Sequence, residues 1–259
     1  MIRAIGLLML SPAGGCEGCG DAPLVCPAAP TGSIPAGDAN GDGRVDISDG
    51  VWLARANLHG GPPPVCAQAV DFLASGVPAD LGDGVTVWSW LFAGTMAALP
   101  ALPAGACAQA VPAAAPACRP VALALVAEDE VTSPFSVEIQ LDAEGAEAWS
   151  YGVSARGCRV VGATTVPGLV GVGYDRTDVT GGHATGAVVL SWQDESTAAP
   201  GTVATLSVEA EVADTCVPCT LAFSSGLAGR GQPVDTVVTI EGASFSPTAE
   251  ELEVEVCPR

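Results

Sequence analysis

Oxygen-bearing side chains recur at fixed positions between residues 38 and 49, and this spacing constrains the fold more than any other feature. Positions 1, 3, 5, 9 and 12 of the stretch are Asp38, Asn40, Asp42, Asp46 and Asp49. Gly43 at position 6 permits a sharp turn, and Arg44 at position 7 offers its backbone carbonyl. Hard cations bind about 6–8 oxygens in this arrangement. The loop therefore predicts a Ca2+ site, because a solvated acidic turn would not require the spacing.

The last loop position departs from the EF-hand rule, since Asp49 stands where glutamate is usual. The loop, an amphipathic stretch after it and Gly60-Gly61-Pro62-Pro63-Pro64 together resemble the dockerin repeat of exported bacterial proteins. The resemblance implies two repeats, calcium in each intact loop, and recognition of a partner through loop positions 10 and 11 and the following helix. The candidate partner-binding residues are therefore Ile47, Ser48, Val51, Trp52 and Arg55.

A second, eroded copy of the repeat follows at an offset of 34, where Asp49-Gly50-Val51 matches Asp83-Gly84-Val85. In this copy Leu73 replaces the ligand at position 3, and the loop closes only after a one-residue insertion. Its remaining ligand candidates form a degenerate second metal site: Asp71, Ser75 and Asp83. The alternative is a metal-free turn that holds a second helix over 85–92, because tight calcium sites need several carboxylates in register.

Beyond Pro120 the apolar residues follow a period of two. Phe135, Val137 and Ile139 alternate with polar residues, as in strands with one buried face. Strands are predicted over 121–127, 135–141, 148–154, 158–163, 186–192, 202–212, 217–223, 235–241 and 252–256. About nine short strands without a convincing helix predict an antiparallel β-sandwich.

This part of the chain resembles cohesin-like and carbohydrate-binding β-sandwich modules through 134–141, 148–154 and the closing Glu-Val strand. The predicted fold is mainly β with a small α part: an antiparallel jelly-roll or cohesin-like sandwich preceded by a two-helix, EF-hand-type dockerin-like domain. The segments are an apolar N-terminal segment with a Cys/Pro/Gly-rich coil (1–36), the dockerin-like calcium-binding domain (37–99), an Ala/Pro linker (100–119) and the sandwich (120–259).

The ten cysteines are even in number, and the chain has only two histidines. This combination favours disulfides in an oxidising compartment over a zinc site at Cys16-x-x-Cys19 or Cys216-x-x-Cys219. We therefore expect an extracellular or cell-surface protein with all ten cysteines oxidised. One bridge is expected between Cys118 and Cys257, whereas Cys26 and Cys66 flank the first repeat and are placed to clamp it.

The N-terminal apolar run follows Arg3 and fits a signal peptide, a lipoprotein signal or an ordered terminal strand. It is too short to span a bilayer, which takes about 20 residues. The net charge of −20 repels phosphate backbones, so nucleic acid is not expected as a partner.

No catalytic motif is found in the sequence, so no enzyme activity is expected. Acidic neighbours such as 128–130 and 194–195 are typical of solvated turns in so acidic a chain. Trp149, Tyr151 and Trp192 are candidates either for stacking on sugars or for burial in the sandwich.

The leading functional hypothesis is a structural or interaction protein in which the dockerin-like part of one copy binds the sandwich of the next. The stiff linker is expected to hinder closure within one chain, so such contacts would give a head-to-tail filament. The alternative is an anchoring or carbohydrate-binding module that attaches to a cohesin of another component or to polysaccharide.

Overall fold

The computed structural model describes residues 24–27, 34–73, 77, 79–96, 98–103, 105–108, 117–128, 130–169, 171, 173–211 and 215–257. The N-terminal apolar run, Cys16, Cys19 and Ser75 lie outside these residues. Within the described part of the chain, every helix is too short or too polar to cross a membrane.

Two helices form the first half of the molecule, and each begins with the same acidic capping box. Helix α1 is Ile47–Leu58, capped by Asp46 and Asp49, and helix α2 is Leu81–Trp88, capped by Asp80 and Asp83. Helix α2 continues as a π turn, Ser89–Ala93, and a 3-10 turn, Ala67–Ala69, lies between the helices. The second helix begins at Leu81 rather than at residue 85 as predicted, because the Asp80 cap precedes the apolar stretch.

The second half is built from strands in two packed sheets. The strands are β1 Leu24–Val25, β2 Arg119–Pro120, β3 Ala122–Val126, β4 Glu130–Thr132, β5 Phe135–Asp142, β6 Ala146–Arg156, β7 Cys158–Thr165, β8 Tyr174–Thr180, β9 His183–Val189, β10 Gly201–Ala210, β11 Val217–Phe223, β12 Leu227–Ala228, β13 Pro233–Val234, β14 Val237–Ile240, β15 Ala243–Phe245, β16 Thr248–Ala249 and β17 Leu252–Cys257. One sheet has the order β16-β3-β5-β10-β7. The other has eight strands in the order β15-β14-β6-β11-β17-β4, with β9 paired to β6 and β8 to β9. The remaining strands form two separate two-stranded sheets, β1-β2 and β12-β13.

The predicted sandwich is confirmed, and each of the nine predicted strands overlaps one in the structure. The description of the sandwich as antiparallel needs one correction, because β16 pairs with β3 and β17 with β4 in parallel. Strand β8 was not predicted, since its sequence, Tyr-Asp-Arg-Thr-Asp-Val-Thr, lacks apolar alternation. It forms because β9 pairs with it along its whole length.

The eight-stranded sheet is covered on one face by the other sheet and on the opposite face by the helices, as the burial of strand β6 shows. Residues 146–153 are all buried instead of alternating. Trp149, Tyr151 and Val153 belong to the core between the two sheets, whereas Ala148 belongs to a second core that includes residues of α1 and α2. Alternation of large inner and small outer residues lets the helices lie close to the sheet.

Among the described residues, four disulfides join all eight cysteines: Cys26–Cys118, Cys66–Cys107, Cys158–Cys219 and Cys216–Cys257. The expected Cys118–Cys257 bridge is therefore wrong. Cys257 ends β17, which pairs antiparallel with β11, and this pairing brings it to Cys216 at the start of β11. Cys118 instead adjoins the short β1–β2 ladder, beside Cys26. A zinc site at Cys216 and Cys219 is also excluded by their disulfides.

The predicted linker does not separate the two halves. Leu102 and Cys107 pack against the cluster around Trp52 and Leu53, and the Cys66–Cys107 bridge fastens the linker to the helical half. The expectation that 100–119 hinders closure within one chain is therefore wrong. All described helical residues lie within 37–99, but they share a core with strands of the 120–259 segment.

Candidate calcium loop and docking interface

The first loop is wound around its own side chains. Asp38 accepts hydrogen bonds from the amides of Gly41, at 2.6 Å, and Gly43, at 2.9 Å. Asn40 Oδ1 accepts the Asp42 amide at 3.0 Å, and Asp42 accepts the Arg44 amide at 2.9 Å. Gly41 and Gly43 have left-handed φ values of 79° and 86°, which side chains other than glycine adopt rarely. The spacing of the sequence thus produces one tight turn with oxygens at its ligand positions.

Asp49 closes the loop from the first turn of α1. Its Oδ1 accepts the Ala39 amide at 2.7 Å, and its Oδ2 accepts the Asp46 amide at 2.8 Å. The Asp46 carboxylate in turn accepts the Ser48 amide at 2.8 Å, and reciprocal bonds between Asp46 and Asp49 form the capping box. Loop closure and helix initiation therefore depend on the same two carboxylates.

The loop buries negative charge without a cationic partner among the described residues. Asp38, Asp46 and Asp49 are 0 %, 5 % and 1 % exposed, and none forms an ion pair there. Burial, aided by repulsion from Asp42, raises the pKa of Asp38 to about 6. Burial, followed by the charges of Asp46, Asp38 and Asp42, raises the pKa of Asp49 well above its usual range. An all-oxygen donor set whose ionised form lacks a counter-charge fits Ca2+ chemically.

The predicted side-chain ligands of the loop do not form a compact acidic cluster. Among the described residues, only Cys216, Glu255 and Cys257 bring three metal-binding side-chain atoms within 4.8 Å of one another. Because Cys216 and Cys257 are joined by a disulfide, that cluster is not a metal site. In the first loop, a bound ion would therefore depend on the Asn40 oxygen and the Arg44 carbonyl as well as on the carboxylates.

The second loop repeats the closing geometry of the first but not its ligand set. Asp83 accepts the amides of Phe72, at 2.8 Å, and Asp80, at 3.0 Å, as Asp49 does one repeat earlier. The buried Oδ1 of Asp71 has no hydrogen-bond partner among the described residues, which suits a ligand at position 1. Leu73 supplies no oxygen at position 3, so the second loop fits a calcium ion less well than the first.

The candidate partner-binding residues of α1 lie against the sandwich of the same chain. Ile47 and Ser48 are fully buried, Val51 and Trp52 are at most 8 % exposed, and the Arg55 side chain is 23 % exposed. The predicted recognition residues therefore form one surface, but the sandwich of the same chain already covers that surface.

Buried polar contacts cross this interface beside the loop. The hydroxyls of Ser48 and Ser244 lie 2.6 Å apart, and Ser244 donates to the Asp46 carboxylate at 2.9 and 2.8 Å. The side-chain amide of Asn40 donates to the Gly242 carbonyl at 3.3 Å. Two predicted calcium ligands, Asn40 and Asp46, thus contact the β14–β15 hairpin directly.

The turn of this hairpin receives α1. Glu241 and Gly242 have φ values of 54° and 76°, as in a two-residue turn of the mirror-image type. A Cβ atom on Gly242 would lie 2.9 Å from the Trp52 ring, so glycine allows the ring to approach. Glu147 accepts the Gly242 amide at 3.0 Å and forms an ion pair with Arg55. Burial raises the pKa of Glu147, although Arg55 opposes the shift.

Aromatic rings extend the interface along α2. Trp88 is fully buried, stacks on Trp192 with ring centres 5.7 Å apart, and lies 6.0 Å from Tyr174. Its Nε1 donates to the Ile47 carbonyl at 3.1 Å. A Cβ atom on Gly50 would overlap the Trp88 ring, which explains the glycine after Asp49. Trp88 therefore joins both helices to the sandwich.

The remaining candidates do not form a site of their own. Trp149 and Tyr151 are 0 % exposed, so they are core residues and cannot stack on sugar. Glu195 lies 3.6 Å from Arg55 and is 60 % exposed. Asp194 is exposed, and hydrogen bonds from Ser196 and Ser191 lower its pKa.

Sequence reasoning missed three sandwich residues that make polar contacts across the interface: Glu147, Gly242 and Ser244. A charged residue inside a buried strand and a Glu-Gly pair between two strands are local signals that could have drawn attention to the first two. Ser244 carries no such signal.

Comparison with known proteins finds similarity to cohesins over about half of the chain. A non-cellulosomal cohesin of Archaeoglobus fulgidus covers 53 % of this chain and 91 % of its own, at 9 % identity and a TM-score of 0.40. A cohesin module of a Clostridium perfringens family 33 glycoside hydrolase covers 54 % and 98 %, at 11 % identity and a TM-score of 0.40. A Ruminococcus flavefaciens cohesin in complex with a group 1 dockerin covers 52 % and 94 %, at 12 % identity and a TM-score of 0.40.

No protein-family model matches the sequence, and no curated protein matches it at a significant level.

The raised pKa values predict how the calcium-free protein responds to pH. The pKa of Asp38 rises from 3.8 to about 6 on folding, so the folded state binds its proton more tightly than the unfolded state does. In chelator, the free energy of unfolding should therefore fall as pH increases through this window, by about 1–3 kcal/mol between pH 5 and pH 7.5. Denaturant titrations at both pH values measure it. Asp38→Asn should make the dependence shallower but not abolish it, because the pKa of Asp49 is also raised. Equal stability of the unmutated chain at both pH values would contradict the prediction.

Proposed function

We propose that this chain is an extracellular, non-enzymatic structural module in which calcium in the first loop stabilises docking of the dockerin-like helices on the cohesin-like sandwich. The observation that carries the proposal is the direct contact between two loop ligands and the β14–β15 hairpin, through Ser244 and the Gly242 carbonyl. The proposed ligands are Asp38, Asn40, Asp42, the Arg44 carbonyl, Asp46 and Asp49. The four disulfides support an oxidising compartment, because such bonds persist there.

Calcium would act on this loop as a counter-charge. It would bind the ionised carboxylates that burial otherwise disfavours, so its binding free energy would add to the stability of the folded state. The residues of the chain hold the loop in shape. Gly41 and Gly43 permit its turns, Asp49 closes it by accepting the Ala39 amide, and Ser244 of the sandwich donates to Asp46.

The two acidic caps provide a matched test. Calcium at about 1,000 times its Kd should raise the free energy of unfolding of the unmutated chain by about 4 kcal/mol. Asp49→Asn should remove most of this increase, because it replaces a charged carboxylate ligand with a neutral amide. Asp83→Asn occupies the same capping position in the second repeat, so it should cost about 0.5–2 kcal/mol of stability but leave the calcium effect intact.

Thermal or denaturant unfolding with and without calcium, together with calorimetric titration, measures both effects. Absence of calcium binding by the unmutated chain would refute the proposal. An unchanged calcium response in Asp49→Asn would refute the assignment of the site.

Head-to-tail assembly is the second candidate function, because the helical surface and its receptor lie on the same chain. The contacts that close one molecule would join two if the helices exchanged between copies. The receptor is filled within each chain, and the tether raises the local concentration of the helices, so closure is favoured over exchange. Binding to a cohesin of another component would likewise require release of α1, and binding to polysaccharide would need a surface other than Trp149 and Tyr151.

A further inference from the structure

We propose that Ser244 of the sandwich is a positioning residue for the calcium loop, so that calcium affinity and docking are energetically coupled. Ser244 lies 198 residues from Asp46 in sequence, and its hydroxyl donates to both Asp46 oxygens, at 2.9 and 2.8 Å. Both residues are at most 5 % exposed. This inference rests on the proposed function, since it concerns the same loop.

The direction of the hydrogen bonds gives Ser244 its role. A hydroxyl has one proton, so Ser244, which donates to Asp46, accepts the bond from Ser48 at 2.6 Å. Ser48 in turn accepts the side-chain amide of Asn40 at 2.9 Å. The chain of bonds therefore begins on one predicted ligand, Asn40, and ends on another, Asp46.

This chain also sets which atom of Asn40 is available to a metal ion. Its nitrogen donates to the Ser48 hydroxyl at 2.9 Å and to the Gly242 carbonyl at 3.3 Å, with a longer bond of 3.5 Å to Asp42 Oδ2. Its Oδ1 is therefore left on the loop side, where it accepts the Asp42 amide. A metal ion requires the oxygen, so the sandwich holds the amide in the orientation that ligation needs.

The coupling must act in both directions. If contacts from the sandwich strengthen calcium binding by some factor, calcium strengthens docking of the loop by the same factor. Outer-shell partners of metal ligands typically change affinity by about 10–100-fold. We expect the lower end, about 10-fold, because Asp46 keeps its bond to the Ser48 amide when Ser244 is removed.

The test compares Ser244→Ala with Ser207→Ala, which alters an exposed serine on β10 in the other sheet. Calorimetric titration with calcium should give an affinity about 10-fold weaker for Ser244→Ala and unchanged for Ser207→Ala. Hydrogen exchange of α1 amides supplies the second readout: the protection gained on adding calcium should be about 10-fold smaller in Ser244→Ala. Near-ultraviolet circular dichroism checks that both variants keep the Trp88–Trp192 packing.

Ser48→Ala interrupts the same chain of hydrogen bonds from the loop side, so it is the alternative test variant if Ser244→Ala does not fold. Its affinity should also fall, and in the double variant the two effects should be less than additive. Calcium affinity equal to that of the unmutated chain in either folded variant would overturn the role of Ser244 while leaving the proposed function intact. If the unmutated chain binds no calcium, the proposed function itself fails.

Discussion

Trp88→Ala is expected to lower the free energy of unfolding by about 3–5 kcal/mol, the cost of emptying a large buried aromatic site. The ring is fully buried, stacks on Trp192 and fills the space left by Gly50. Its removal leaves a cavity where α1, α2 and the sheet meet, and it removes the side-chain hydrogen bond to the Ile47 carbonyl.

Denaturant unfolding followed by far-ultraviolet circular dichroism measures this effect. Val161→Ala is the control, since Val161 is 41 % exposed on β7 and should cost less than about 1 kcal/mol. A loss below about 1 kcal/mol for Trp88→Ala would show that the helices do not depend on this shared core.

Gly242→Val is expected to release α1 from the hairpin at a cost of about 2–4 kcal/mol. Gly242 has a φ of 76°, which a β-branched residue rarely adopts, and its Cβ would lie 2.9 Å from Trp52. Released helices would expose Ser48 and Trp52, so the α1 amides should exchange faster with solvent. The amides of the sandwich strands should stay protected.

This variant also tests head-to-tail assembly when it is mixed with a second one. Ser48→Arg with Trp52→Ala spoils the helical surface but leaves the hairpin intact. Each variant alone should remain monomeric, whereas their mixture should form a calcium-dependent heterodimer in which the intact surface of one chain binds the intact hairpin of the other. Light scattering and sedimentation measure it. A mixture that stays monomeric at high concentration with millimolar calcium would restrict the interface to contacts within one chain.

Much of the local structure could be predicted from the sequence. The spacing from Asp38 to Asp49 predicted a turn, and the offset of 34 located the second helix. The first helix begins where Asp46 and Asp49 cap it. The period of two located nine strands. Each of these features depends on neighbours within a few residues, because turn geometry, capping and the alternation of buried faces act over that range.

The tertiary structure alone decided where these elements meet. The bond from Ser244 to Asp46 spans 198 residues, the Cys26–Cys118 bridge spans 92, and β8 exists only because β9 pairs with it. Sequence patterns located the helical surface and the sandwich separately, but not their contact within one chain. That contact depends on the fit of small residues, Gly242 and Ala148, against Trp52 and the second core, and such complementarity has no period along the chain.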